Sequence, residues 1–259
     1  MSASPVQSPT SKSATAPPGA ALRLSARQRV FLVAANYIPF LNVLIAAAIC
    51  FPSACGAWPR WTCLFALAWL LLVPPIIVRI TLALRPLPRA DIPVGSAPFL
   101  IWWFTSQWQV IFNRLPWIEE MIRLVPGLYG VWLRLWGAKV GTLIYWTPGL
   151  RILDRSLLEV GDRVVFGAGV KINPHILLPD DEGKLILRAA VVRIGADALV
   201  GGYSLLLAGC WIGAGELSPG RREMRPFTGW VNGRRVDSDR DAFHHRDHDA
   251  VHDAGAGDA

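Results

Sequence analysis

The stretch Leu158-Glu-Val-Gly-Asp-Arg-Val-Val-Phe-Gly-Ala-Gly-Val-Lys-Ile-Asn173 carries a large apolar residue at every sixth position, Val160, Phe166 and Ile172. Leu178 is next in step, and the pattern restarts as Ile194, Val200, Leu206 and Ile212. Gly161, Gly167, Gly195, Gly201 and Gly213 follow five of these positions, and Val164, Val170, Ala198, Ser204 and Cys210 stand two places before others. A period of six matches neither the 3.6 of a helix nor the 2 of an ordinary strand. It fits a solenoid in which each hexad makes one short strand and one turn, with the large side chain inward and the small residue in the corner. Upstream, Val140, Trp146 and Ile152 keep the same spacing, and a slip of two residues around Leu158 separates them from Val160. Ten or eleven hexads in phase make three to four coils. That is short for a free-standing solenoid, whose core comes mostly from stacked neighbours, so caps, a membrane or other subunits are expected to help.

From about Gly137 to Gly233 the chain resembles the left-handed β-helix hexapeptide-repeat acyltransferases. Leu158-Glu-Val-Gly-Asp162 and Val192-Arg-Ile-Gly-Ala196 more closely resemble the membrane-attached repeat region of amino-acid-polymerising non-ribosomal peptide synthetases. The resemblance implies left-handed crossovers, an exception to the usual right-handed rule. It also implies acetyl-CoA or another acyl-CoA as co-substrate, no metal requirement, and a homotrimer with sites between neighbouring β-helices.

Outside the repeats, hydrophobic residues make up 53% of the 259 and are concentrated toward the N-terminus. No charged residue lies between Arg29 and Arg60 or between Arg60 and Arg79, and each run is long enough to cross a bilayer. Asn36, Pro39 and Asn42 in the first, with Pro74 and Pro75 in the second, predict kinks or a shallow hairpin. Lys12, Arg23, Arg27 and Arg29 precede the pair and Arg79, Arg85 and Arg89 follow it. The positive-inside rule then places both ends, and the repeats, in the cytoplasm, as a multi-pass protein of the cytoplasmic membrane. A disulfide between Cys55 and Cys63 near the outer loop is conceivable, and Cys210 fits a core corner.

The net charge of +7 concentrates after the spans, which points to anionic lipid head groups. No nucleic-acid recognition motif accompanies it. Residues 92–113 are uncharged and rich in tryptophan, Trp102, Trp103 and Trp108. They predict an interfacial helix rather than a third span. Trp117 to Leu124 and Tyr129 to Trp136 predict two further short helices, lying on the membrane or capping the first coil. The expected organisation is a disordered basic N-terminus (1–28), two transmembrane helices (29–90), interfacial amphipathic helices (91–136), a left-handed β-helix (137–236) and a disordered Asp/His-rich tail (237–259). In fold class this is a membrane-anchored all-β protein, a helical hairpin followed by a short parallel β-helix.

The hexad phase breaks between Leu178 and Ile194, where Pro179-Asp-Asp-Glu-Gly183 predicts a polar excursion with a short extended return. Just before it stands His175, the one histidine outside the tail. In the resembling enzymes such a histidine is the general base; a structural surface residue and a metal ligand are the other roles open to it. Asn173, Asp154 or Asp162 are candidates to orient the ring. The backbone N–H groups of Gly201, Gly202 and Gly213 are candidates for an oxyanion site, although turns require these glycines in any case. Arg221, Arg222 and Arg225 suit coenzyme A phosphates, and Gly229 to Arg235, with Gly233, resembles the returning strand that ends many hexapeptide domains. The usual Pro-Ala after that glycine is replaced by Arg234-Arg235. His244, His245, His248 and His252 lie in the tail, where weak metal binding competes with simple disorder. Two functions follow. One is acyl transfer to a hydroxyl or amine on a glycan, lipid-linked or secondary-metabolite acceptor; the other is a non-catalytic membrane scaffold of a biosynthetic complex. A β-helix carbonic anhydrase needs three histidine ligands, and the repeats hold one.

Overall fold

The computed structural model describes residues 24–88, 91–180 and 182–237. Most of the stretch predicted to be a disordered N-terminus, and the tail histidines, lie outside the described residues. The end of that N-terminal stretch is helical, because α1 (Ala26–Ala35) opens on a capping box between Ser25 and Gln28. Next come α2 (Ile38–Ala54) and α3 (Cys63–Leu84), joined through a short turn at Arg60–Thr62. Ala26–Ala54 and Arg60–Leu84 are long and apolar enough to cross a membrane. Their side chains are largely uncovered, among them Phe40, Leu44, Phe65 and Ile80. The disulfide at the turn joins Cys50, not Cys55, to Cys63; Cys55 is free and exposed. One helical turn separates Cys50 from Cys55, and the former faces α3.

One polar and one proline residue in these helices find compensation. Asn42, buried, accepts from Trp69 Nε1 at 2.6 Å. Pro75 has no N–H to give the carbonyl of Leu71 four residues earlier, and Trp132 Nε1 donates to that carbonyl at 2.8 Å instead. Trp132 belongs to α6 (Leu128–Leu135), which with α4 (Ala97–Arg114) and α5 (Trp117–Arg123) closes the near end of the solenoid. Phe112, Tyr129, Trp132, Leu133 and Trp136 share one core with Val140, Ile152 and Val160, so the capping role expected as one alternative for these helices is realised.

The solenoid has three parallel sheet faces. The first stacks Lys139–Val140, Leu158–Val160, Val192–Ile194, Trp211–Ile212 and Thr228–Val231. The second stacks Val165–Phe166, Leu199–Val200 and Leu217–Ser218, with Tyr145 bridged to Val165. The third stacks Arg151–Ile152, Lys171–Asn173, Leu205–Leu207 and Glu223–Met224. Residues six apart therefore sit on successive faces, as the hexads predicted, and Val160, Phe166, Ile172, Ile194, Val200, Leu206 and Ile212 all point inward. Burying each such side chain contributes roughly 1.5–3 kcal/mol. Coils stack so closely at the corners that a Cβ on Gly167 would lie 2.3 Å from the Gly202 nitrogen. Arg234–Asp237 turns back antiparallel on Thr228–Val231, the returning strand that the sequence resemblance implied.

Leu178 breaks the expectation. It lies on a strand, His175–Pro179, that leaves the solenoid and pairs antiparallel with Leu185–Ala189. The hexad phase thus ends at Ile172, and the excursion begins at His175 rather than at Pro179. Ile92–Pro93 adds a third strand to this hairpin, fixed by a two-pronged pairing of Arg188 with Asp91 at 2.9 and 3.0 Å.

Candidate active site

Coil starts at Val140, Val160, Ile194, Ile212 and Trp230 show where the two irregularities fall. The slip of two residues lies between Ile152 and Leu158, and the long excursion lies between Asn173 and Val192. Both interrupt the same corner, where the third face turns into the first, in adjacent coils. Loops thrown out of a rigid scaffold commonly carry function, and these two enlargements bring irregular segments of adjacent coils together at one corner.

Asp154, on the first enlargement, meets His175, on the second: the Asp154 carboxylate holds the ring at Nδ1 in a hydrogen bond. Asp154 is 4% exposed and His175 24%, so the acid is sealed while the imidazole keeps an open side. The indole of Trp102, from α4, stands edge-on to the imidazole at 4.9 Å between centroids. Burial alone would push the imidazole pKa down, but attraction to Asp154 and the hydrogen bond with it prevail and hold it above its usual value. With Nδ1 committed to Asp154, Nε2 is the nitrogen left to accept a proton.

Asp154 is itself held from below. Its neighbour Arg155, 1% exposed, gives its backbone N–H to Gln109 Oε1 at 2.8 Å and its guanidinium to Glu119. Phe112, Trp132 and Trp136 surround that guanidinium with ring faces at 5.4 to 5.7 Å. Glu119 also binds Arg123 at 3.1 Å and the Tyr129 hydroxyl, while Glu120 accepts from the Gly149 N–H at 3.0 Å. The helical cap thereby locks the backbone that aims Asp154. Neither Arg155 nor Glu119 stands out in the sequence as a site residue. The clue lay in the position of Arg155 inside the two-residue slip.

Other predicted site residues lie elsewhere. Asn173 ends its strand in register with Leu207, and the hydrogen bond to the ring comes from Asp154 instead. Asp162 accepts from the backbone and hydroxyl of Thr142 at 2.6 and 2.9 Å, which holds its carboxyl below the usual range. Gly201 donates its N–H to Ser218 and Gly213 to Trp230, so both are spent on the coil ladder rather than on an oxyanion. Gly202 sits with Gly201 at the corner between the second and third faces, away from the corner that carries His175. Arg221 and Arg222 lie in the last coil, exposed, with Arg221 N–H bonded to the Gly202 carbonyl. Gly233 makes the tight turn before the returning strand and donates to Glu216 Oε2 at 3.1 Å. Among the described residues no group of three metal-ligating side chains occurs. The structure thus joins His175 to one of its three candidate partners, keeps Asn173 two residues away without a bond to the ring, and leaves Asp162, the glycines and the arginines elsewhere on the solenoid.

No family model and no curated protein matches the chain. Solved structures similar to parts of it include a maltose O-acetyltransferase from Clostridium difficile 630, with 15% identity over 50% of this chain and 87% of that one, at a TM-score of 0.27. A serine acetyltransferase from Neisseria gonorrhoeae is 16% identical over 82% of this chain and 90% of its own, at 0.20. Serine acetyltransferase isoform 3 from Entamoeba histolytica, in complex with cysteine, is 11% identical over 84% of this chain and 87% of its own, also at 0.20.

Proposed function

We propose that this chain is a membrane-anchored acyltransferase that moves an acetyl or other short acyl group from acyl-CoA to a hydroxyl or amine. The observation that carries the proposal is the Asp154–His175 pair at the doubly enlarged corner. In the reaction Nε2 of His175 takes the proton from the acceptor as its oxygen or nitrogen attacks the thioester carbonyl. The resulting tetrahedral oxyanion collapses, the carbon–sulfur bond breaks, and the proton passes to the departing thiolate. Asp154 keeps Nε2 free and stabilises the imidazolium that forms between these steps. His175→Ala should lower acetyl-CoA-dependent thiol release by at least about a hundredfold without loss of folding, since general-base catalysis is worth two to four orders of magnitude. Turnover near that of the unaltered protein would reject the role.

Support for anchoring comes from the two apolar helices and from the chemistry of their ends. Arg27 and Arg29 lie before α2, Arg79 and Arg85 late in or after α3, and the turn between carries Arg60 alone. The Cys50–Cys63 disulfide at that turn suits an oxidising compartment, which supports the reading of a solenoid on the cytoplasmic side, where acyl-CoA is made available. Assembly into a homo-oligomer is supported by the second face. Tyr145, Val165, Leu199 and Leu217 form an exposed apolar ladder there, whereas Lys139, Glu159 and Arg193 line the first in an ion-paired row. The same ladder favours the second reading, a scaffold that recruits a biosynthetic partner. Retained partner binding by His175→Ala with no acyl transfer by either form would select it.

A further inference from the structure

The position of the dyad along the membrane normal identifies how its acceptor arrives. The α6 cap is bonded to α3 at two heights: Trp132 Nε1 to the Leu71 carbonyl at 2.8 Å, and the Arg134 carbonyl to Arg79 at 3.0 Å. Eight helical residues separate Leu71 from Arg79, a rise of about 12 Å. Arg79 is the first cation after the apolar run, a marker for the level of the lipid phosphates, and the Trp132 indole reaches from the helix that Arg79 holds to the apolar middle of α3. Val78, between the two bonds, is fully buried in the same core as the first coil. The outer side of this cap is apolar and open: Trp117, Met121, Leu124, Val125, Leu128 and Val131 are all exposed, with Leu124 at 72%. That surface, like the uncovered flank of the α3 helix to which the cap is bonded, has a bilayer leaflet as its matching partner.

His175 is tied to the cytoplasmic-side ends of the same helices through α4. Trp103 donates to Asn36 Oδ1 at 3.0 Å, two residues before α2 begins, and the antiparallel pairing of α2 with α3 through Cys50–Cys63 and Asn42–Trp69 sets Asn36 near the level of Arg79. Its sequence neighbour Trp102 holds the His175 ring. We infer that the α5–α6 cap is sunk into the cytoplasmic leaflet, that the Asp154–His175 corner opens at the headgroup plane, and that the acceptor hydroxyl or amine is carried by a membrane lipid. The acceptor part rests on the acyl-transfer reading; the placement does not.

The full-length protein is tested in vesicles of phosphatidylethanolamine and phosphatidylglycerol that contain a nickel-chelating headgroup lipid. Nitroxide labels are placed singly at Leu124→Cys, Leu177→Cys and Glu223→Cys in a Cys55→Ser background. The Leu124→Cys label should be relaxed more by oxygen than by a water-soluble nickel complex. Lipid-tethered nickel should relax the Leu177→Cys label, on the hairpin, more than the Glu223→Cys label in the last coil. A Leu124→Cys label as accessible to water as that at Glu223→Cys, or equal relaxation at Leu177→Cys and Glu223→Cys, overturns the placement. In parallel, radiolabelled acetyl-CoA is supplied with membranes of the cells that make the protein. The label incorporated in a His175-dependent way should extract into organic solvent; its recovery in water-soluble product overturns the lipid acceptor. No His175-dependent incorporation in either phase instead rejects acyl transfer, and the nitroxide measurements still judge the placement.

Discussion

His175 is a base only while its imidazole is neutral, and Asp154 works against neutrality. Because the pair holds the ring pKa above its ordinary 6.5, turnover should rise with pH through that raised value. Asp154→Asn removes both the attraction and the charged acceptor and leaves burial, which favours the neutral ring. The rise should therefore move to lower pH, with a lower plateau because the imidazolium intermediate loses its counter-charge; a pH–rate profile that does not move would separate Asp154 from the base. Stability follows the opposite course. A group whose folded pKa is raised contributes stabilisation in full below its unfolded pKa, near 6.5, and loses it as pH climbs through the folded value. Asp154→Asn should accordingly destabilise the protein more in mild acid than above neutrality, as measured by thermal unfolding at several pH values. His175 was visible in the sequence as a lone histidine beside a phase break, but its partner was not. Three acidic or amide candidates stood within reach in sequence terms, and only the stacking of coil on coil brings residue 154 to residue 175.

The corner that carries the pair depends on elements far apart in the chain. Glu119 on α5 satisfies two buried arginines, Arg155 and Arg123, so Glu119→Gln leaves Arg155 charged and without its counter-ion. Loss of one member of a buried ion pair costs about 3–5 kcal/mol. Chemical denaturation should register that loss, together with a fall in turnover that the unchanged His175 cannot explain by itself. The hexads announced the solenoid because Val160, Phe166 and Ile172 must point inward for it to close, and the inward set was correct up to Ile172. They misplaced Leu178 because a strand leaving the coil keeps apolar residues in approximate step for a few positions. The glycine turns were equally legible as turns and equally misleading as an oxyanion site. A glycine N–H at a corner of stacked coils is already promised to the carbonyl of the next coil, as Gly201 and Gly213 show. The capping helices were legible as amphipathic, but such a pattern cannot say whether its apolar side meets lipid or the end of a solenoid; here one side meets the end of the solenoid and the other is exposed.

In the molecule taken together, the disulfide and the dyad lie at opposite ends of the helical hairpin. Cys55, free and exposed at the turn, reports which side of the membrane that turn occupies. A membrane-impermeant maleimide added to intact cells with their cytoplasmic membrane accessible from outside should modify it, while modification only after lysis would reverse the proposed orientation. Association is tested on the exposed ladder. Leu199→Glu with Leu217→Glu places two carboxylates on the outer side of the second face without touching the core. Sedimentation in detergent should show a smaller species if copies meet there, and an unchanged mass if the ladder serves another partner.

The strand Ile92–Pro93 gives the architecture a practical corollary. The chain emerging from α3 is stitched into the hairpin that begins with His175, and the Trp102, Gln109 and Glu119 side chains that brace the corner follow immediately. Excising residues 137–237 to obtain a soluble fragment would discard all four supports at once. What remained could still wind and still look regular by spectroscopy, yet it would be a spindle without its jaw. Preparations intended for enzymology should therefore keep residues 91–136 with the solenoid, even where solubility argues for cutting them away.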